Sequence, residues 1–330
     1  MAMSSRQNTP DTPPLPDAPT SGVSGDAGYA DADLMQVERA LEETVDQLGL
    51  TDVAPGGAGL EFIVFRAWDA TRGEVAIRVP RYRTYRFPGR VPFSARRALE
   101  QEEAICAHLH SLGFPVAEPL LQFETVSGPV MVSRFLASER HGADSERVGG
   151  LLARLHQAPA PRIAPLDHDG YPVAEALARR LCRRWAQLRD FIPELPPPAP
   201  IEDVTLQLAP VADTPSLVHL DIRACNLLSA HNEIVGLVDW SCAMLGHPAM
   251  ELARSAEYSQ LPENGIDFPA LVAGYRSTAQ LPKLDSQVEA LVRLDTVVTL
   301  GVIFFAYAPD PTRQEWARGR ISDLLRQLGQ

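Results

Sequence analysis

Apolar residues recur at helical spacing over residues 32–50, ADLMQVERALEETVDQLGL, and predict a first helix. Shorter apolar runs follow. GLEFIVFRAWDATRGEVAIRVPR (59–81) reads as two strands joined by a turn at Asp69 to Gly73. SARRALEQEEAICAHLHSLG (94–113) returns to the helical period and stops at Gly113, and GPVMVSRFL (128–136) is a further strand. Helix, strand, strand, helix, strand suits a small sheet-bearing lobe. From about residue 139 the pattern turns helical, with stripes in SERVGGLLARLHQAP (145–159) and VAEALARRLCRRWAQLRDF (173–191). IPELPPPAP breaks the chain, and residues 200–215 are predicted as a variable excursion. SLVHL, NLLSA and EIVGLVD are short strands around a loop, and helices alternate with Pro/Gly breaks from Pro248 onward. The expected organisation is a disordered Pro/Ser/Gly/Asp tail over 1–30, a first lobe over 31–136 and a second over 137–330.

Two polar residues sit where this pattern makes them expensive. Ala98, Glu102, Ile105, Leu109 and Leu112 step by 4, 3, 4 and 3, so Glu102 lies on the apolar stripe of its helix. A carboxylate there needs a cation. Strand alternation puts Ala76 and Arg78 on one face of VAIR (75–78). Lys283 is the only lysine beside 29 arginines, so arginine must serve wherever a strand cation is required.

Composition narrows the class. With 45% hydrophobic and 22% charged residues the chain is ordinarily globular, and a net charge of −12 argues against nucleic-acid or anionic-membrane partners. RYRTYRFPGRVPFSARR (81–97) sets six arginines among aromatics, and is read as a mobile, solvated loop rather than an RNA contact. Four cysteines without CxxC pairing suit reduced thiols in a cytoplasmic protein. No signal peptide is recognisable, and VVTLGVIFFAYA is too short to span a bilayer. A monomer or dimer is expected.

The chemistry concentrates in HLDIRACN (219–226). Asp221 and Asn226 stand five positions apart, and Asp239 follows 18 residues after Asp221 at the end of an apolar run. This is either a polar turn between buried strands or a site for phosphoryl transfer. That reaction asks for a carboxylate to orient the attacking hydroxyl, metal ions on the phosphates and cations on the nucleotide. Magnesium prefers hard oxygen ligands, which an asparagine and an aspartate supply. His219 is expected to brace the loop.

LVHLDIRACNLL…EIVGLVDWSCAMLGHPAMELA resembles the catalytic and metal-binding segments of the aminoglycoside/choline-kinase-like phosphotransferases, relatives of the protein kinases. Members read HGD, four variable residues and N, then D followed by W or F, then GDP and DLA. The resemblance implies an α+β, two-lobed protein-kinase-like fold, with a small N-terminal antiparallel-sheet lobe that binds nucleotide and a larger, mostly helical C-terminal lobe. It implies Asp221 as catalytic base, Asn226 and Asp239 as Mg2+ ligands, ATP (or GTP) as donor and a small-molecule hydroxyl as acceptor. VAIR resembles the kinase strand V-A-I-K, with Arg78 at the lysine position, Glu102 as its partner and Ala76 leaving room for a flat base. VMVSRFL resembles the segment joining the lobes, which puts Val132 and Phe135 at the adenine pocket. The GGAG run containing Gly57 is read as a turn able to close over phosphates.

Three departures stand out. Leu220 replaces the usual Gly, which is tolerable on a backbone that is not left-handed. His247 replaces the Asp of GDP, with a consequence for the turn, and Glu251 replaces a structural Asp. Arg78 in place of lysine, with the Leu220 and His247 departures, motivates a second reading, a catalytically silent kinase-like binding or regulatory module. Retention of Asp221, Asn226 and Asp239 argues for the enzyme. Residues 205–330 carry 14 acidic and 9 basic side chains, a lean towards a cationic acceptor such as an aminoglycoside, choline or another amino alcohol.

Overall fold

The structure, a computed structural model, describes residues 34–87, 90–166 and 168–329; the tail predicted over 1–30 lies outside them. The first helix, α1 (Leu34–Leu48), turns Val37, Ala40, Leu41 and Thr44 inward at helical spacing. It covers one face of a sheet built from β1 (Thr51–Ala58), β2 (Phe62–Asp69) and β3 (Gly73–Pro80). A two-strand hairpin follows, β4 (Thr84–Tyr85) with β5 (Phe93–Ser94), and leads into α2 (Ala95–Ser111). Ser94 caps α2 by accepting from the Arg97 N–H, and Gly113 ends it at φ +74°. β6 (Pro119–Glu124) and β7 (Pro129–Arg134) complete an antiparallel five-stranded sheet in the order β1-β2-β3-β7-β6.

Two of these strands, β1 and β6, have no counterpart in the sequence pattern. Both are edge strands, where proline and glycine are tolerated because half the backbone groups need no partner. β1 reads TDVAPGGA, and its pairing with β2 slips on either side of the Ala54–Pro55 step. Gly56 sits close against β2: a Cβ there would lie 3.2 Å from the Val64 carbonyl oxygen, so a larger residue would press the strands apart. Gly57 therefore sits within a strand rather than a turn, and the turn itself runs from Gly59 to Phe62.

The second lobe opens with β8 (Arg140–His141), α3 (Ser145–Gln157) and α4 (Val173–Arg189). Residues 200–215, expected as an irregular excursion, instead form α5 (Ile201–Leu208) and a short 3-10 turn. Val204 and Leu208 tie that helix into the core beside α4. β9 (Ser216–Val218), β10 (Leu227–Ala230), β11 (Glu233–Leu237) and β12 (Met244–Gly246) are the predicted short strands, with β12 added, and they carry the HLDIRACN loop between them. The remaining helices are α6 (Ala249–Tyr258), α7 (Phe268–Thr278), α8 (Ser286–Val302) and α9 (Pro311–Gln327). α8 is apolar over most of its length because it is buried among α4, α6 and α9. Among the described residues no helix is long and apolar enough to cross a membrane. The expected two-lobed α+β architecture is the one observed.

Candidate active site

On β3, Val75, Ile77 and Val79 face α1, while Ala76 and Arg78 face the other way, as alternation requires. Arg78 reaches Glu102 of α2 at 2.8 Å, with both side chains largely buried, and its guanidinium lies 4.5 Å from the Phe62 ring centroid. The pair inferred from the helix stripe is present. Burial pushes the Glu102 carboxyl up, Arg78 pulls it down, and the charge of Asp239 raises it again. The Gln101 amide, next to Glu102 on α2, donates to the Trp240 carbonyl at 2.8 Å, which brings the segment carrying Asp239 against this helix.

Cross-strand register corrects one expected pocket residue. Val132 stands opposite Ile77 and is buried on the α1 side, away from Arg78. The residues of β7 on the Ala76–Arg78 face are Ser133, opposite Ala76, and Met131, opposite Arg78. Val132 therefore cannot line a base pocket, and Ser133 and Met131 can. A one-position slip exchanges the faces of a strand completely. Phe135 follows β7 half-buried, with the Arg66 guanidinium 5.3 Å from its ring. Gly57 pairs with Val64, which pairs with Arg78, so its backbone stands in the same row as the cation.

In the arginine-rich stretch the aromatics turn inward, while Arg83, Arg86, Arg96 and Arg97 are exposed as expected. Tyr85 is buried, stacks on Phe87 at 5.7 Å and leans on Phe93 at 5.2 Å. Arg90 crosses between the lobes, 3.3 Å from Glu61 Oε1 and 3.3 Å from the Ser241 carbonyl oxygen. Burial pushes Glu61 up to about 7, against the pull of Arg90. Sequence reading missed both residues, whose partners lie far along the chain.

The HLDIRACN loop is held from two sides. His219 is fully buried, edge-on to Trp240 at 4.5 Å; its Nε2 donates to the Val238 carbonyl and its Nδ1 accepts from the Asp221 N–H. It braces the loop, as expected. Glu251 of α6 accepts the N–H groups of His219 at 2.5 Å and Leu220 at 2.9 Å. Leu220 adopts φ +60°, so the condition under which a side chain there is readily tolerated is not met. The left-handed conformation costs a non-glycine residue about 1–2 kcal/mol. It is sustained by Glu251 and by a Leu220 side chain buried in the main core cluster. Leu220→Gly would relieve that strain, but deleting a buried leucine costs about 2–5 kcal/mol. The loss outweighs the gain, so this variant is expected to unfold at a lower temperature than the parent; a raised midpoint in a melting experiment would reverse the reading.

His247 takes over the turn function of the aspartate it replaces: its Nδ1 accepts the Ala249 N–H at the start of α6. Asp221 itself is buried. Its Oδ2 accepts from Arg223 Nη2 and from Asn226 Nδ2, both at 2.7 Å, and its Oδ1 accepts from the Tyr258 hydroxyl at 3.0 Å. Burial pushes its pKa up, but Arg223, Arg254 and His219 more than offset this and hold it at about 2. Asn226 also donates to the Asp221 carbonyl at 2.8 Å, which fixes its amide with nitrogen towards Asp221 and oxygen away. Asp239 is half-buried at φ +67° and accepts from the Ser241 hydroxyl at 3.0 Å. An amide oxygen and a carboxylate form a hard donor pair that suits Mg2+ with phosphate oxygens and water completing the shell. Among the described residues no cluster of three or more His, Cys, Asp or Glu side chains offers an all-protein metal cage.

The structure is thus a two-lobed α+β fold that pairs Arg78 with Glu102 in the first lobe and sets Asp221 beside Asn226 in the second. A model of the phosphotransferase enzyme family matches residues 52–285, and the chain belongs to that family. Among solved structures it is similar to a putative fructosamine-3-kinase from Haemophilus somnus 129PT, with a TM-score of 0.59 at 13% identity over 88% of this chain and 99% of that one. An aminoglycoside phosphotransferase, APH(4)-Ia in a thermostable mutant form, matches with a TM-score of 0.52 at 15% identity over 86% of this chain and 98% of the other. Choline kinase from Cryptosporidium parvum Iowa II matches at 0.52 and 13% identity over 84% and 88%. At these identities the likeness is one of fold. A curated relative, acyl-CoA dehydrogenase family member 11 of Gallus gallus, is 24% identical over 224 residues, 61% of this chain and only 28% of that protein.

Proposed function

We propose that the protein transfers the γ-phosphoryl group of ATP or GTP, with Mg2+, to a hydroxyl of a small molecule. The observation that carries this reading is a chain of contacts: Arg78 pairs with Glu102 on α2, the neighbouring Gln101 bonds the Trp240 carbonyl next to Asp239, and Asn226 joins that segment to Asp221. Arg78 would hold the α- and β-phosphates with its rotamer fixed by Glu102, and the Gly57 row of β1 would let backbone approach them. Ala76, Ser133 and Phe135 would border the base. Asn226 and Asp239 would hold Mg2+, which supplies charge neutralisation on the phosphates. Asp221 would accept the hydrogen bond of the acceptor hydroxyl and receive its proton as the P–O bond forms. The nucleotide lobe would span 31–136, and the catalytic and acceptor lobe 137–330. ADP and hygromycin B are bound in another solved form of APH(4)-Ia, at a TM-score of 0.51, which supports a nucleotide donor and a small-molecule acceptor.

The lobe-wide acid excess favours a cationic acceptor such as an aminoglycoside or amino alcohol, whereas Arg223, partly exposed beside Asp221, favours an anionic one. An acceptor screen should therefore pair amino sugars and amino alcohols with sugar acids and neutral polyols, reading an added phosphate by mass spectrometry. Transfer to at least one acceptor is expected, with complete loss on adding EDTA and recovery on restoring Mg2+. Transfer that persists in EDTA would remove the metal role of Asn226 and Asp239.

A further inference from the structure

One face of α6 is polar yet buried. Glu251, Arg254 and Tyr258 step by 3 and 4, are all buried, and point at the loop carrying Asp221. Glu251 grips the loop backbone, as described above. Arg254 and Tyr258 act on the carboxylate. Arg254 Nη2 donates to the Tyr258 oxygen at 2.8 Å and its Nε does so at 3.2 Å. Arginine has donors only, so these contacts occupy the lone pairs of the phenol oxygen. The tyrosine hydrogen is then left to point at Asp221 Oδ1, 3.0 Å away. The direction of the chain Arg254 to Tyr258 to Asp221 is fixed by the chemistry of its first member.

The same accounting separates the two carboxylate oxygens. Each carries two lone pairs in the carboxylate plane. Oδ2 accepts from Arg223 and Asn226, which fills both. Oδ1 accepts from Tyr258, and among the described residues has no second donor. Resting on the phosphotransfer reading, we propose that Tyr258, held by Arg254, is a positioning residue that locks the Asp221 carboxylate and leaves one lone pair of Oδ1 as the place where the acceptor hydroxyl docks.

The test is a double-mutant cycle on the full chain. Release of ADP from ATP and Mg2+, with water as acceptor, gives kcat and the KM for ATP, and thermal melting reports folding. Tyr258→Phe keeps the ring and removes only the hydroxyl. A hydrogen bond to a charged group predicts that kcat falls about 10- to 100-fold. The KM for ATP should stay within about two-fold, because the nucleotide contacts are elsewhere. In an Asp221→Asn background the same substitution should cost nothing further. Should Tyr258→Phe fail to fold, Arg254→Gln replaces it in the cycle, since its amide still donates to the phenol; a smaller loss of kcat is expected, again absent in the Asp221→Asn background. An unchanged kcat in Tyr258→Phe, or an equal loss in both backgrounds, overturns the positioning role while the phosphotransfer reading stands. A parent protein that releases no ADP and phosphorylates no acceptor in the screen overturns both.

Discussion

Asp221→Asn is expected to lower kcat by about 10²- to 10⁴-fold, the usual contribution of a positioned base, while nucleotide still binds. The substitution is close to isosteric, so the loss has to come from charge and hydrogen-bond polarity. The present carboxylate receives donors on both oxygens: Arg223 and Asn226 on Oδ2, and Tyr258 on Oδ1. An amide can accept on one side only. With its nitrogen at the Oδ2 position it opposes two donors; flipped, it opposes the Tyr258 hydroxyl and the incoming acceptor. Either orientation places donor against donor and removes the group that takes the proton. Arg78, Glu102 and Asp239 are untouched, so the affinity for nucleotide measured by calorimetry should change only a few-fold. A variant that turns over at the parental rate would exclude Asp221 as the base.

The asymmetry between what the sequence showed and what it hid has a physical basis. Glu102 betrayed itself because a charge on an apolar helix stripe demands a partner, and Arg78 was the cation on the adjoining strand; the pair stands at 2.8 Å. Asp221 and Asn226 were readable because the loop that joins them is local, and five residues bring them to 2.7 Å. Val132 was misplaced because the segment was matched as a run of residues, whereas the face of a strand follows from its register with Ile77. β1 and β6 escaped because edge strands need little β propensity. The arginine-rich hairpin looked wholly solvated on composition, yet four aromatic rings, Phe62, Tyr82, Phe87 and Phe93, gather around Tyr85. The polar stripe of α6 was legible in principle from its 3–4 spacing. Its target, the Asp221 carboxylate 37 positions before Tyr258, was not.

Asp295→Ala should be the most destabilising single change outside the catalytic loop. Asp295 is buried on α8, bonded to Arg180 Nε at 3.1 Å and Nη2 at 2.5 Å, with Arg184 Nη1 at 3.8 Å. Both arginines come from α4, so the carboxylate ties two central helices of the second lobe. Burial pushes its pKa up, and the two guanidinium charges more than offset that, leaving it below the ordinary carboxylate range. Deleting it removes the buried carboxylate that both guanidinium groups share, which costs about 3–5 kcal/mol. Arg254, which also feels the Asp295 charge, would lose part of its compensation and carry the effect towards Tyr258. The sign with pH follows from the depressed pKa. The stabilisation is complete above the unfolded carboxylate value of about 4, and is lost as pH falls through the lower folded value. Urea unfolding at neutral pH should therefore separate parent and variant widely, and the gap should narrow in acid. A difference below about 1 kcal/mol at neutral pH would show that water or relaxation compensates the arginines. Replacing Arg180, Arg184 and Asp295 together with apolar residues of similar volume should recover much of the loss, because the desolvation cost of all three charges is removed along with their attraction.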